Sequence, residues 1–294
     1  TLSIYKRNVT ISTDDISSFA GENVTVKAKV KSGDSNVLID KAILKIAGKT
    51  VAKAHVVNGI AVFKFTTPDL REGNYDLIVK TGPNTLYNAA NITQKFTVYR
   101  NNITITADNM TGVAGKLASL RATFYSNGVK NINNIASVLK INGTTVARST
   151  INDGVAIFYF TVPTIKSGTY DMLIKVGDST FYNVASLTNK ITITTQKITI
   201  TTTNVKGYVG SRVNLVANFV SSDNERVNIS KSVLKLNGKT IDTKAVVNGK
   251  ASYSFIIPDL KVGDYTLTIK TGDTSAYSSA VKTTVLTVLE TPKS

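Results

Sequence analysis

The chain has 294 residues, 42% of them hydrophobic, which exceeds one ordinary small domain and excludes a disordered tail. It has no cysteine and one histidine, His55, which excludes disulfides, thiolate nucleophiles, sulfur-ligated metals and any histidine cluster. Thirty-five Lys and Arg against 19 Asp and Glu give a formal charge of +16, and no apolar run approaches the ~18 residues of a membrane helix.

The chain opens on Thr1 with no charged-then-apolar leader, so it is expected to be processed or trimmed. Leu2-Ser3-Ile4-Tyr5 resembles Phe96-Thr97-Val98-Tyr99, so residues 1–6 read as the leftover last strand, or linker, of a preceding repeat. Beyond it, alternation of period two runs throughout, and a helical period is nowhere sustained. Seven strands are expected in the first hundred residues, near 8–13, 23–31, 41–47, 50–57, 60–66, 74–81 and 93–99. In the second of these, Val24, Val26, Ala28 and Val30 share one face and Thr25, Lys27 and Lys29 the other, the pattern of an antiparallel sheet with one wet face. Asn58-Gly59 separates two of these runs, and Asn-Gly adopts positive φ cheaply, as two-residue hairpins require.

The same series then recurs twice. Asn58-Gly59, Asp153-Gly154 and Asn248-Gly249 stand 95 residues apart, as do Pro68, Pro163 and Pro258, and Gly82, Gly177 and Gly272. The first copy is one residue shorter, and the slip falls between Val30 and Lys41, as expected of a loop. The expected organisation is repeat one at 7–100, repeat two at 101–196 and repeat three at 197–294. Neither boundary, near Arg100 or Gln196, contains Gly or Pro, so the connections should be short and stiff. Seven short strands per copy predict an all-β chain of three tandem immunoglobulin-like β-sandwiches arranged end to end.

Pro68 to Tyr75 recurs as Pro163 to Tyr170 and Pro258 to Tyr265. A Tyr two residues after a Gly, opening the sixth strand, fits a structural tyrosine corner, so Tyr75, Tyr170 and Tyr265 are expected to donate to backbone upstream. The Leu-Lys-Ile-Asn-Gly hairpin at Leu139 to Gly143, its counterpart Leu234 to Gly238, and the Gly-Asp loops Gly177 to Tyr182 and Gly272 to Tyr277 add a further pattern. Together these resemble the bacterial-type immunoglobulin-like (Big) repeats of adhesin-like cell-surface proteins, especially those of methanogenic archaea. The resemblance spans essentially the whole chain, and copy one departs from it at Ala47 and Pro83. It implies surface stalks or adhesive modules and carries over no catalytic residue.

The residues themselves offer little chemistry. His55 aligns with Thr150 and Ala245, and no carboxylate pair repeats at glycosidase or calcium-loop spacing. No catalytic residue, cofactor site or metal site is therefore assigned. Lys45, Lys140 and Lys235 repeat, as do Lys80, Lys175 and Lys270. An intramolecular Lys–Asn isopeptide bond would need such a lysine buried, but their alternation against Leu44 and Val79 points them outward, as sheet-face lysines that discourage edge pairing. The charge divides as +6, +4 and +6 over the copies, without the concentrated footprint of a specific nucleic-acid site.

Seven Asn-x-Ser/Thr sequons, at Asn8, Asn23, Asn91, Asn102, Asn109, Asn142 and Asn228, offer N-glycosylation sites, against roughly 6 expected from composition. Tyr87, Tyr182 and Tyr277 recur in the loop between the sixth and seventh strands as ligand-contact candidates, with packing of that loop as the alternative. The loops Ser32 to Asp40, Ser126 to Asn134 and Ser221 to Ser230 vary most between copies. The leading expectation is a non-catalytic, extracellular adhesin-like surface fragment, its repeats serving as stalk and adhesion modules. Its partners would be surface components of another cell, acidic wall or glycan polymers, and neighbouring repeats of the same chain. The alternative is an array of carbohydrate- or wall-polymer-binding modules. Strand donation by residues 1–6 to a neighbouring molecule is a further alternative.

Overall fold

The computed structural model describes residues 5–128 and 132–291, and these residues form strands, turns and loops with no helix. The first copy contains β1 (Thr10–Ser12), β2 (Ile16–Phe19), β3 (Asn23–Ser32), β4 (Ser35–Asn36), β5 (Ile39–Ile46), β6 (Lys49–Val57), β7 (Ile60–Thr66), β8 (Gly73–Thr81) and β9 (Ala90–Tyr99). The second contains β10 (Ile103–Thr106), β11 (Met110–Val113), β12 (Leu117–Ser126), β13 (Ile135–Ile141), β14 (Thr144–Ile151), β15 (Val155–Thr161), β16 (Gly168–Val176) and β17 (Ala185–Thr194). The third contains β18 (Ile198–Thr202), β19 (Val205–Gly207), β20 (Arg212–Ser221), β21 (Ile229–Leu236), β22 (Lys239–Val246), β23 (Lys250–Ile256), β24 (Gly263–Thr271) and β25 (Val281–Val288).

In the second copy β10-β12-β15 form a three-stranded sheet, and β11-β17-β16-β13-β14 form a five-stranded one. The third copy repeats this arrangement strand for strand. In the first copy the corresponding sheets join through Val56↔Ala61 and Val57↔Ile60, the foot of the Asn58-Gly59 hairpin. The two sheets of each copy face one another across a separate hydrophobic cluster. In copy one, Val26, Ala28, Phe63 and Phe65 from one sheet meet Leu44, Leu77, Val79, Phe96 and Val98 from the other. Alternation places these side chains inward, and burying each large one contributes ~1.5–3 kcal/mol. The chain is all-β, and its copies are immunoglobulin-like β-sandwiches.

The first copy departs from the seven expected strands. The expected strand near 8–13 is β1, which pairs antiparallel with β3, and two strands are added: the short β4, paired with β3, and β2, by which the chain crosses to run parallel to β9. The crossing uses a side chain in place of a ladder amide. Asp15 Oδ1 accepts from the Lys95 N–H at 2.9 Å, Asn109 Oδ1 from Lys190 N–H at 2.8 Å, and Asn204 Oδ1 from Val285 N–H at 3.1 Å. The last strand also begins at Ala90 rather than near 93.

The hairpin turns follow the sequence. Asn58, Asn142, Asp153, Asn237 and Asn248 all carry positive φ before a glycine. Ala47 adopts φ 50° in the same turn without an Asn side chain.

Candidate functional site

The corner tyrosines share one geometry. Tyr75 Oη donates to the Arg71 carbonyl at 2.8 Å, Tyr170 to Lys166 at 2.5 Å and Tyr265 to Lys261 at 2.8 Å. Each ring also packs on the core of its own copy. The preceding glycines, Gly73, Gly168 and Gly263, have φ between 147° and 158°, a region L side chains rarely adopt.

Tyr87, Tyr182 and Tyr277 are half-buried and pack against the cores. Burial pushes the Tyr182 phenol above its ordinary pKa. Each caps a tight turn in which its N–H donates to a side-chain oxygen: Asn84 Oδ1 at 2.8 Å, Ser179 Oγ at 3.0 Å and Thr274 Oγ1 at 2.8 Å. These turns grip the segment that leads into the same copy. Arg7 forms a parallel bridge with Tyr87, Asn101 with Tyr182 and Gln196, the last residue of the second repeat, with Tyr277. Each of the three donates its N–H to the residue before the tyrosine, at 2.9, 2.8 and 2.9 Å.

All seven sequon asparagines are exposed. Five are engaged through Oδ1: Asn8 accepts from Asn88, Asn23 from Thr66, Asn102 from Asn183, Asn109 from Lys190 N–H and Asn228 from Asn248 N–H. Asn91 and Asn142 make no side-chain hydrogen bond to a described residue.

The boundaries carry contacts that sequence reading missed. At the first, the Arg100 guanidinium bonds Asp178, and its Nη1 reaches the Ser179 carbonyl at 3.2 Å. Glu72 Oε2 stands 3.6 Å from Arg100 Nε. Phe181, from the second copy, packs on the first copy's core, and a Cβ added at Gly21 would lie 3.3 Å from its ring. At the second boundary Lys116 Nζ reaches across to Asp223 Oδ2 at 2.7 Å and Glu225 Oε2 at 2.8 Å. The position corresponding to Phe181 is Ala276, and that corresponding to Lys116 is Glu22. Both joints use ion pairs, built from different positions, and the first adds the apolar contact of Phe181. Comparing copies residue by residue flags these positions as outliers, but not what they meet.

The repeated lysines lie on the outer face of each five-stranded sheet, and none of the six is buried. That accords with the outward orientation read from alternation. His55 is exposed, with Nδ1 3.1 Å from Asp40 Oδ1. Among the described residues no group of three or more His, Cys, Asp or Glu is placed to hold a metal ion. The expected leftover strand falls largely outside the described residues, as does part of the Ser126 to Asn134 loop. In the third copy the variable loop supplies Asp223 and Glu225 to the second boundary.

No protein-family description and no curated protein matches the chain. Among solved structures, the I9-I11 tandem of titin is similar at 14% identity, over 96% of this chain and 100% of that one, with a TM-score of 0.34. The Escherichia coli adhesin FdeC is similar at 16% identity over 96% of each chain, with a TM-score of 0.34. Fibronectin(III)-like modules of Clostridium thermocellum CbhA match at 16% identity over 65% of this chain and 99% of theirs, with a TM-score of 0.28. The sandwich architecture stands on the strand pairing itself.

Proposed function

We propose that the chain is a non-catalytic, adhesin-like cell-surface fragment, in which three immunoglobulin-like repeats act as stalk and adhesion modules. The repeats correspond to residues 7–100, 101–196 and 197–294. The observation that carries this reading is the recurrent grip on each incoming segment. Arg7, Asn101 and Gln196 are held by the same loop in the same way, so each copy fixes the path of the chain into it. Short, gripped connections suit a protein that holds a distant element in place. Repetition also lets weak contacts add through effective concentration. The resemblance to Big repeats of adhesin-like proteins, including those of methanogenic archaea, points the same way and supports a location outside the cell.

Immunolabelling of intact source cells tests this reading. Labelling without permeabilisation, lost after protease shaving, is expected. Labelling only after lysis would overturn it.

A second reading, binding of acidic wall or glycan polymers, is favoured by the unpaired lysines on the five-stranded sheets. In that reading adhesion is a property of the repeats themselves.

A further inference from the structure

Lysine alternates with uncharged side chains, mostly aliphatic, like a checkerboard on the outer face of β5 and β8 and of their counterparts in the other copies. In copy one Ile43 stands opposite Lys80 and Lys45 opposite Ile78, so the lysines are diagonal neighbours. Lys53 extends the first row on the far side of Ile43. Copy two repeats the pattern with Val138 opposite Lys175, Lys140 opposite Leu173, and Arg148 in the place of Lys53. Copy three has Val233 opposite Lys270 and Lys235 opposite Thr268. Diagonal neighbours lie ~7–8 Å apart at the backbone, and like charges so placed repel.

The next row of the same face is different. Asp76 stands opposite Lys95, and Asp171 opposite Lys190, with the latter pair closing to 2.5 Å. Thus in the first two copies one part of the face is neutralised and the adjoining part is not. None of Lys45, Lys80, Lys140, Lys175, Lys235 or Lys270 makes an ion pair or side-chain hydrogen bond with a described residue. Nothing in the fold requires a row of repelling, unpartnered cations at the same positions three times over.

In copy three these lysines line a groove of about 460 Å³. Lys231, Lys235 and Lys270 supply its charge, Val233 its apolar floor, and Thr240 and Thr274 are among the hydroxyl residues around it. Its one acid, Asp273, is occupied in accepting the Ser279 N–H at 2.7 Å.

We propose that this lysine-lined face, in each copy, binds a carboxylated polysaccharide. Uronate carboxylates would meet the ammonium groups in charge-assisted hydrogen bonds, ring hydroxyls the threonines, and the apolar sugar face Val233 or its counterparts. A nucleic acid fits less well. No aromatic side chain lines the groove to stack a base, and the neutral Asp–Lys rows interrupt the basic footprint in copies one and two. The proposal rests on the polymer-binding reading above and gives it a site.

The test is binding of the 294-residue chain to soluble polygalacturonate, with dextran and duplex DNA as parallel probes. One variant replaces Lys45, Lys80, Lys140, Lys175, Lys235 and Lys270 with Gln. A control of equal charge replaces Lys27, Lys29, Lys64, Lys166, Lys250 and Lys261, which are exposed. Polygalacturonate affinity should fall at least tenfold more in the first variant than in the control. Arginine at the six positions should restore it. Equal losses in the two variants would show a diffuse field and overturn the proposal, as would tighter binding of DNA than of polygalacturonate at the same salt. The two readings fail separately. Loss of the groove effect with intact surface labelling overturns the groove alone, whereas absence of surface labelling overturns the surface reading whatever the groove binds.

Discussion

Single residues show how the copies tolerate exchange. Tyr253 is fully buried where the first two copies carry Phe63 and Phe158. Its hydroxyl donates to Ser232 Oγ at 2.7 Å, and Ser232 donates in turn to the Lys244 carbonyl at 2.8 Å. Burial raises the Tyr253 phenol above its ordinary pKa. Copy two has the matching serine, Ser137, bonded to the Ser149 carbonyl at 2.8 Å, beside a phenylalanine. The two deletions should therefore differ. Tyr253→Phe recreates the copy-two pairing and should cost under ~1 kcal/mol, whereas Ser232→Ala strands a buried hydroxyl and should cost ~1–3 kcal/mol. Urea unfolding followed by tyrosine fluorescence separates the two. The corner tyrosines allow a simpler test. Tyr170→Phe keeps the packed ring but drops the bond to Lys166, and should lower stability by ~0.5–1.5 kcal/mol in the same assay.

Among elements, the crossing from β1 to β2 and its counterparts is the informative one. Asp15, Asn109 and Asn204 each supply the acceptor that lets the chain leave one sheet and join the other. Asn109→Ala should leave the Lys190 amide without its partner and cost ~1 kcal/mol, while Asn109→Asp, the copy-one solution, should be close to neutral; thermal unfolding of the pair reads the difference. The repeats, the hairpins and the inward faces were all legible before any coordinates. Asn142-Gly143 and Asp153-Gly154 announce positive φ, and Val26, Ala28 and Val30 announce a face. The parallel strand was not legible. Ile16–Phe19 spans four residues, too few for alternation to register, and its partner Phe96 to Tyr99 lies 80 residues away. The lysine rows were visible as repeats, but their diagonal placement needed the register of β5 against β8. The grip of Tyr182 on Asn101 likewise joins residues distant in sequence through a loop without periodicity.

For the whole molecule, the joints decide behaviour. Phe181 and Arg100 make the first, and Lys116 with Asp223 and Glu225 makes the second. Phe181→Ala should expose the first connection, seen as faster trypsin cleavage after Arg100 with the copies themselves still folded. The second joint rests on exposed ion pairs, so ~1 M salt, with its ~3 Å screening length, should loosen it more than the first, where the packing of Phe181 remains. Paramagnetic relaxation between tags on copies two and three reads that change. Asp223, and then Glu225, hold the Lys116 ammonium above its ordinary pKa. A raised lysine stabilises fully below its unfolded value and loses that contribution only as pH climbs through the higher folded one. The second joint should accordingly persist through neutral and mildly alkaline solution and slacken only at strongly alkaline pH.

The parallel pairing of β2 with β9, and of its counterparts, has a mechanical consequence. Tension along the chain draws the first of these strands one way and the last the other, sliding neighbours past each other lengthwise. All the bonds between them then bear load together instead of parting one by one. Copies one and two hold four such residue pairs and copy three holds three. Under a steady pull at the two ends, copy three should be the first to yield, and the array would lengthen by one repeat while the other two still hold.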